Sequence, residues 1–334
     1  MKSFASAQRV CFVAHIASLI FGLAGLLLVL PHPEFIAQLP DIGRTAFSWS
    51  MVGGGAVYMI SGAAAVAIYA YRQLGLWHWL SFMIPALAVS LSAELLGTST
   101  GFPFGEYHYL TGLGYKIAGL VPFTIPLSWF YLGFSAYLIA YLGFRKVTKG
   151  WLAEMGAILM GSVLLTAWDF VLDPAMSQTT MPFWAWDQAG AFFGMPYQNF
   201  VGWFGTGFVY MSIATLLWRA QPKYWLESSL VEPSASGLPL GLPLGIYLSN
   251  FAFAMLISID GEIYPPILLG LLLGVLPLMG LYRLATGKEP TAQHFQLTDP
   301  QFTDPQLTNP QLVDTQLVDT QTLARVAASA KAAE

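Results

Sequence analysis

Eight stretches of the chain are long and apolar enough to cross a bilayer, and polar residues collect in the segments between them. Crossing roughly 30 Å of hydrocarbon takes about 20 apolar residues in a helix. The hydropathy pattern predicts spans near 10–30, 51–71, 77–97, 122–144, 151–172, 200–219, 239–258 and 264–284, once Gly and Pro interruptions are allowed. The expected fold class is therefore an all-α integral membrane bundle of about eight transmembrane helices. Residues 1–288 form the polytopic domain in this reading. The first span precedes Pro31-His32-Pro33 rather than a small-residue cleavage site, so it is read as a retained anchor.

Polar residues also set an orientation. Lys2, Arg9, Arg72, Arg145, Lys146, Lys149, Arg219, Lys223, Arg283 and Lys288 fall at one set of alternate span ends, and only Arg44 and Lys116 at the other. Because cytoplasmic loops are enriched in Lys and Arg, this asymmetry puts both termini in the cytoplasm. Composition agrees with a membrane solvent: 56% of residues are hydrophobic and 10% charged, against about a quarter charged in an average soluble domain. The one cysteine, Cys11, excludes an intrachain disulfide. No basic patch points to nucleic acid. From Gln296 a five-residue unit repeats, restarting at Gln301, Gln306, Gln311 and Gln316; residues 289–334 are read as a low-complexity, disordered tail without a catalytic part.

Against that background the acidic residues stand out. Glu94 and Glu106 lie in ELLGTSTGFPFGEYHY, and Asp169 and Asp173 in WDFVLDP. The topology carries all four to the non-cytoplasmic end, together with Asp187, Asp260 and Glu262. A charged group at a helix centre costs about 2.5–3.5 kcal/mol on insertion scales, so a group of acids there calls for a task. Asp169 and Asp173 are four apart and share a helix face, and Pro174 is expected to end that helix. The segment 101–109 is too rich in Gly and Pro for a helix and too aromatic for a wet loop, so it reads as an interfacial or re-entrant stretch closing over a cavity. Residues 184–203 form a second such stretch.

Each of these residues also has a plain structural reading. Asp173 can cap a helix, Asp187 can be a solvated loop residue, and Trp168, Trp184, Trp186 and Trp203 can be interfacial anchors. His108 can serve as a local hydrogen-bonding partner, Lys116 as the ion-pair partner of an acid, and Asn199 and Asn250 as links between helices. Taken together, acids in a dry aromatic pocket suit protonation of an electron-rich alkene. A carboxyl in dry surroundings keeps its proton near neutral pH, a second acid in a more polar spot stays ionised, and aromatic faces stabilise a carbocation. Capture of water by that cation completes a hydration.

The stretches ELLGTSTGFPFGEYHYL, PFTIPLSWF, WDFVLDP and GMPYQNFVGWFG resemble the CruF-type carotenoid 1′,2′-hydratases, a family that includes γ-carotene 1′-hydroxylase and bisanhydrobacterioruberin hydratase. The resemblance covers about residues 50 to 285. It implies addition of water to the 1′,2′ double bond of an acyclic carotenoid end, giving a tertiary alcohol with no cofactor. The partners it implies are the carotenoid, the lipid bilayer and other enzymes of the carotenoid pathway, in a plasma or thylakoid membrane. Chemistry then assigns catalysis to Glu94, Glu106, Asp169 and Asp173, with Asp169 or Glu94 as proton donor and Asp173 or Glu106 orienting the water. Tyr107, His108, Tyr109, Trp168, Trp186, Asn199 and Trp203 are the expected substrate contacts.

Rival readings divide on the same residues. An oxygen-dependent iron hydroxylase needs clustered histidines, but His15, His32, His78, His108 and His294 are scattered. A prenyltransferase needs more acidic metal ligands and more basic groups at the acidic end. A lycopene-type cyclase begins with the same protonation and remains open, as does a proton-coupled transporter, although no internal repeat marks one.

Overall fold

The computed structural model describes residues 2–179, 181–220 and 239–287. The repeat from Gln296 onward, read above as disordered, lies outside the described residues.

Helix α1 (Lys2–Ala24) runs on through a π-helical turn at Gly25–Val29 and is followed by a short α2 (Pro33–Gln38). Helix α3 spans Asp41–Thr100, 60 residues. At about 1.5 Å per residue a straight helix of that length would be three times the thickness of a hydrocarbon core. It is not straight, because Gly75 sits at φ 81°, ψ 173°, a conformation open essentially to glycine alone. Gly75 divides α3 into two spans, which matches the two predicted at 51–71 and 77–97. The remaining helices are α4 (Thr124–Val147), α5 (Trp151–Ser177), α6 (Gln198–Arg219), α7 (Gly241–Asp260), and α8 (Tyr264–Gly270), which passes through a second π-helical turn, Leu271–Val275, into α9 (Leu276–Thr286). Among the described residues seven helices are long and apolar enough to cross a membrane. Counting α3 twice gives eight crossings, and the protein is a multi-pass, all-α membrane protein.

Helix α4 is the axis of the bundle. It packs against α3, α5, α7 and α9 and is buried from Thr124 to Tyr141 with one exception, Leu127. A helix apolar all round belongs in such a position. Helices α1 and α8 lie outside, and large apolar side chains such as Leu28 and Leu268 are exposed there. On a soluble protein these would form an aggregating patch; on this one they face hydrocarbon.

Cross-helix contacts show which ends lie together. Arg72 reaches Gln8 at 2.5 Å, the Trp77 indole donates to the Leu217 carbonyl, and Arg219 pairs with Glu154. This basic end gathers the start of α1, the Gly75 bend, the start of α5 and the end of α6. The other end gathers the C-terminal part of α3, the start of α4, the C-terminal part of α5 and the start of α6. Two connecting segments cover it.

Those segments hold structure that the hydropathy pattern does not show. Strand β1 (Tyr107–Tyr109) pairs antiparallel with β4 (Trp184–Trp186), with Tyr107 opposite Trp186 and Tyr109 opposite Trp184. Strands β2 (Lys116–Ile117) and β3 (Val121–Pro122) form a second small ladder. One expectation is corrected: Pro174 does not end α5, which continues to Ser177. Beyond the proline, Gln178 N–H donates to the Pro174 carbonyl, and the Ser177 and Thr179 hydroxyls donate back to the carbonyls of Asp173 and Ala175. These bonds hold the last turn.

Candidate active site

The covered end of the bundle encloses a hollow walled by α3, α4, α5, α6 and the β1–β4 ladder. About 590 Å³ of space lies between its walls and mouth, and about 50 Å³ of that can hold the centre of a water molecule. The hollow is therefore wide enough in part to admit water.

Strand alternation decides which side chains of the ladder face inward. Successive residues of a strand point to opposite faces. Tyr107 and Tyr109 are buried, whereas Glu106 and His108 are exposed. The same parity on β4 puts Trp184 and Trp186 against the hollow. Phe104, just upstream, seats its ring against α6 at Gly202, where a Cβ would come within 2.4 Å of a ring carbon. Glycine at 202 is what lets the covering segment close down on the helix.

Three carboxylates meet here, all nearly inaccessible: Glu94 3%, Asp169 1% and Asp173 3% exposed. Glu94 accepts from the Tyr107 hydroxyl, from the Tyr109 hydroxyl at 2.8 Å and from the Trp129 indole at 2.9 Å. Asp173 accepts from the indoles of Trp186 at 2.9 Å and Trp184 at 3.1 Å, and from the Ser177 hydroxyl at 3.2 Å. Asp169, one turn before Asp173 on the same face, accepts from the Asn199 amide at 2.8 Å through Oδ2. Its Oδ1 is buried with no hydrogen-bond partner among the described residues, and so is the indole N–H of the adjacent Trp168. None of the three acids makes an ion pair among the described residues. Every donor that holds them is neutral.

The hollow is strongly aromatic. Trp129 and Trp203 stack at 3.9 Å with an 18° tilt, and Trp168 meets Trp203 edge-on at 5.8 Å. Tyr107 and Trp186 lie 5.1 Å apart. Burial, and then the neighbouring Glu94 carboxylate, push the Tyr107 and Tyr109 hydroxyls well above the usual tyrosine range, so both stay protonated donors.

Of the residues expected from the sequence, Glu94, Asp169, Asp173, Tyr107, Tyr109, Trp168, Trp186, Asn199 and Trp203 all line this hollow. Glu106 and His108 do not. Glu106 offers its backbone carbonyl to the amides of Asp187 and Gln188, and His108 contacts the Asp187 carboxylate at 3.0 Å with both side chains about half exposed. Lys116 donates to the Tyr109 carbonyl at 2.5 Å rather than to an acid. Asn250 links helices instead, joining His15, Tyr131 and the Ile246 carbonyl. Sequence reasoning missed Trp129, Phe104 and Tyr58, and treated Trp184 as an anchor. The parity of Trp184 with Trp186 was the available signal for that one; nothing local marks Trp129, whose contact with Glu94 joins α4 to α3.

Comparison with known proteins places this hollow in a context. The family described as "Carotenoid biosynthesis protein" matches residues 54–277, a range that contains every residue lining the hollow. The chain is also similar to bisanhydrobacterioruberin hydratase of Haloarcula japonica, with 31% identity over 220 residues, covering 65% of this chain and 69% of that protein. No solved structure matches.

Proposed function

Because the chain belongs to the carotenoid biosynthesis protein family, we propose that it is a carotenoid hydratase, adding water across the 1′,2′ double bond of an acyclic carotenoid end to give a tertiary 1′-alcohol. The observation that carries this reading is the cluster of Glu94, Asp169 and Asp173, buried among neutral donors and aromatic rings with room for water beside them. Relatedness to a hydratase supports the same reaction type.

Hydrogen bonding separates the acids by role. Glu94 and Asp173 each accept from three donors, an arrangement that suits an acceptor-only carboxylate. Asp169 has one donor and one free oxygen, which suits an acid that delivers a proton from Oδ1. In the proposed sequence that proton goes to C2′, the π electrons of the double bond form the new C–H bond, and the positive charge appears at C1′. The faces of Trp129, Trp168 and Trp203 stabilise the cation through their quadrupoles. A water in the hollow attacks C1′, Asp173 takes its proton, and Asp169 is reprotonated through the same water cluster. The sum is alkene plus water to alcohol, with no change of oxidation level overall. Glu106, exposed on the far side of β1, has no part in this scheme.

The Lys and Arg asymmetry supports an orientation with both termini cytoplasmic and the hollow at the opposite face. Expression in a host that accumulates lycopene or γ-carotene tests the function directly. The expected pigment is heavier by one water and carries a tertiary hydroxyl. An unchanged pigment, or an isomer of unchanged mass, rejects the reading in favour of no reaction or cyclisation.

A further inference from the structure

A second, smaller crevice lies where the ends of α1, α5 and α7 meet. It is walled by Leu26 and Leu27 of the π-helical turn that continues α1, by Met176 and Thr179 at the end of α5, by Phe183, and by Ile257 of α7, with the exposed Asp260 beside it. Met176 also lines the carboxylate hollow, so the two spaces share that side chain. Leu28, next to Leu27 in the π-helical turn, is 68% exposed.

We infer that this crevice is the binding site for the polyene stem of the substrate and its path from the lipid, with Met176 as the movable partition. The inference rests on the carotenoid reading given above. The three acids are at most 3% exposed, so a branched isoprenoid end reaches them only where a wall yields. Met176 is the wall best able to do so. Methionine is unbranched and repacks readily. The facing wall is the π-helical turn Gly25–Val29, a departure from regular helix geometry of a kind frequent at functional sites. An apolar rod that enters here puts its end among the carboxylates while the rest of its length stays in hydrocarbon.

Binding can be read apart from chemistry, as carotenoid retained per protein after purification of the full chain from a lycopene-producing host, measured by polyene absorption. Leu27→Trp and Ile257→Trp fill the crevice at positions that do not line the hollow. Each is expected to lower retained carotenoid at least about tenfold at equal protein yield. Leu268→Trp, the same enlargement on a lipid-facing surface away from both spaces, and Leu27→Met, which conserves volume, are expected to retain the unmodified amount. Undiminished pigment in both crevice variants overturns the path, and so does an equal loss in Leu268→Trp or Leu27→Met. Failure of the hydratase reading looks different: the unmodified chain retains carotenoid and returns it without added water.

Discussion

The two ends of the bundle handle charge in opposite ways. At the basic end Arg219 and Glu154 pair at 2.7 Å with the arginine half exposed, and Arg145 lies 5.4 Å over the Tyr141 ring while donating to its hydroxyl at 2.7 Å. Those charges are compensated by a partner or by water, as interfacial anchors are. At the covered end three acids lie within one hollow, almost without exposure, and among the described residues no cation pairs with them. Apolar residues at these positions would stabilise that end, yet the chain gathers acids there and holds them with indoles, hydroxyls and an amide. An arrangement that gives up stability in this way is understandable where the acids do work.

Substitutions matched between the ends test that contrast. Asp169→Asn is expected to lower hydration by at least about 100-fold, the range a general acid supplies, while Glu154→Gln changes it less than about threefold, as for an interfacial pair. Product formed per unit of membrane-inserted protein decides between them. A smaller contrast comes from tyrosines. Tyr109→Phe removes one of the three donors to Glu94, and loss of a hydrogen bond to a charged group is expected to cost about 1.5–3 kcal/mol of stability, seen as a lower Tm. Tyr137→Phe removes a bond to Thr215 in the other half of the bundle and is expected to leave the rate alone while costing about 1 kcal/mol of stability, seen as a lower Tm.

Much of this organisation is legible in the amino-acid sequence, because membrane solvation acts residue by residue. Eight apolar runs and the distribution of Lys and Arg sufficed for the spans, and the bend at Gly75 falls between two of them. Glu94, Asp169 and Asp173 attract notice because acids beside hydrocarbon are expensive. What the sequence hides is pairing at a distance. Nothing local indicates that β1 and β4 lie side by side, and that ladder is what aims the Trp184 and Trp186 indoles at Asp173 and turns Glu106 and His108 outward. One residue of parity separates Glu106 from Tyr107, and composition alone does not resolve it. Pro174 misled for a different reason: a proline withholds only its own N–H, and local bonds back to Asp173, Pro174 and Ala175 carry α5 past it.

The smallest effect expected is a lack of change with pH. Tyr107 and Tyr109 have raised values in the folded protein, so the extra stability of their protonated form is fully present below the unfolded value of about 10 and is lost only as pH climbs toward the folded values. These tyrosines should leave thermal stability flat between pH 7 and about 9.5, with a decline above pH 10 that is weaker in Tyr107→Phe and Tyr109→Phe. A decline assigned to them below pH 9 would mean that the donors around Glu94 are not buried.

The source of the product's oxygen tests the central claim most directly. Membranes containing the chain, supplied with an acyclic carotenoid in ¹⁸O-labelled water under ordinary oxygen, are expected to yield a tertiary alcohol carrying ¹⁸O at C1′, with Asp169→Asn membranes yielding almost none. Unlabelled hydroxyl oxygen, or a product that has gained no oxygen at all, would contradict protonation and water capture in the carboxylate hollow.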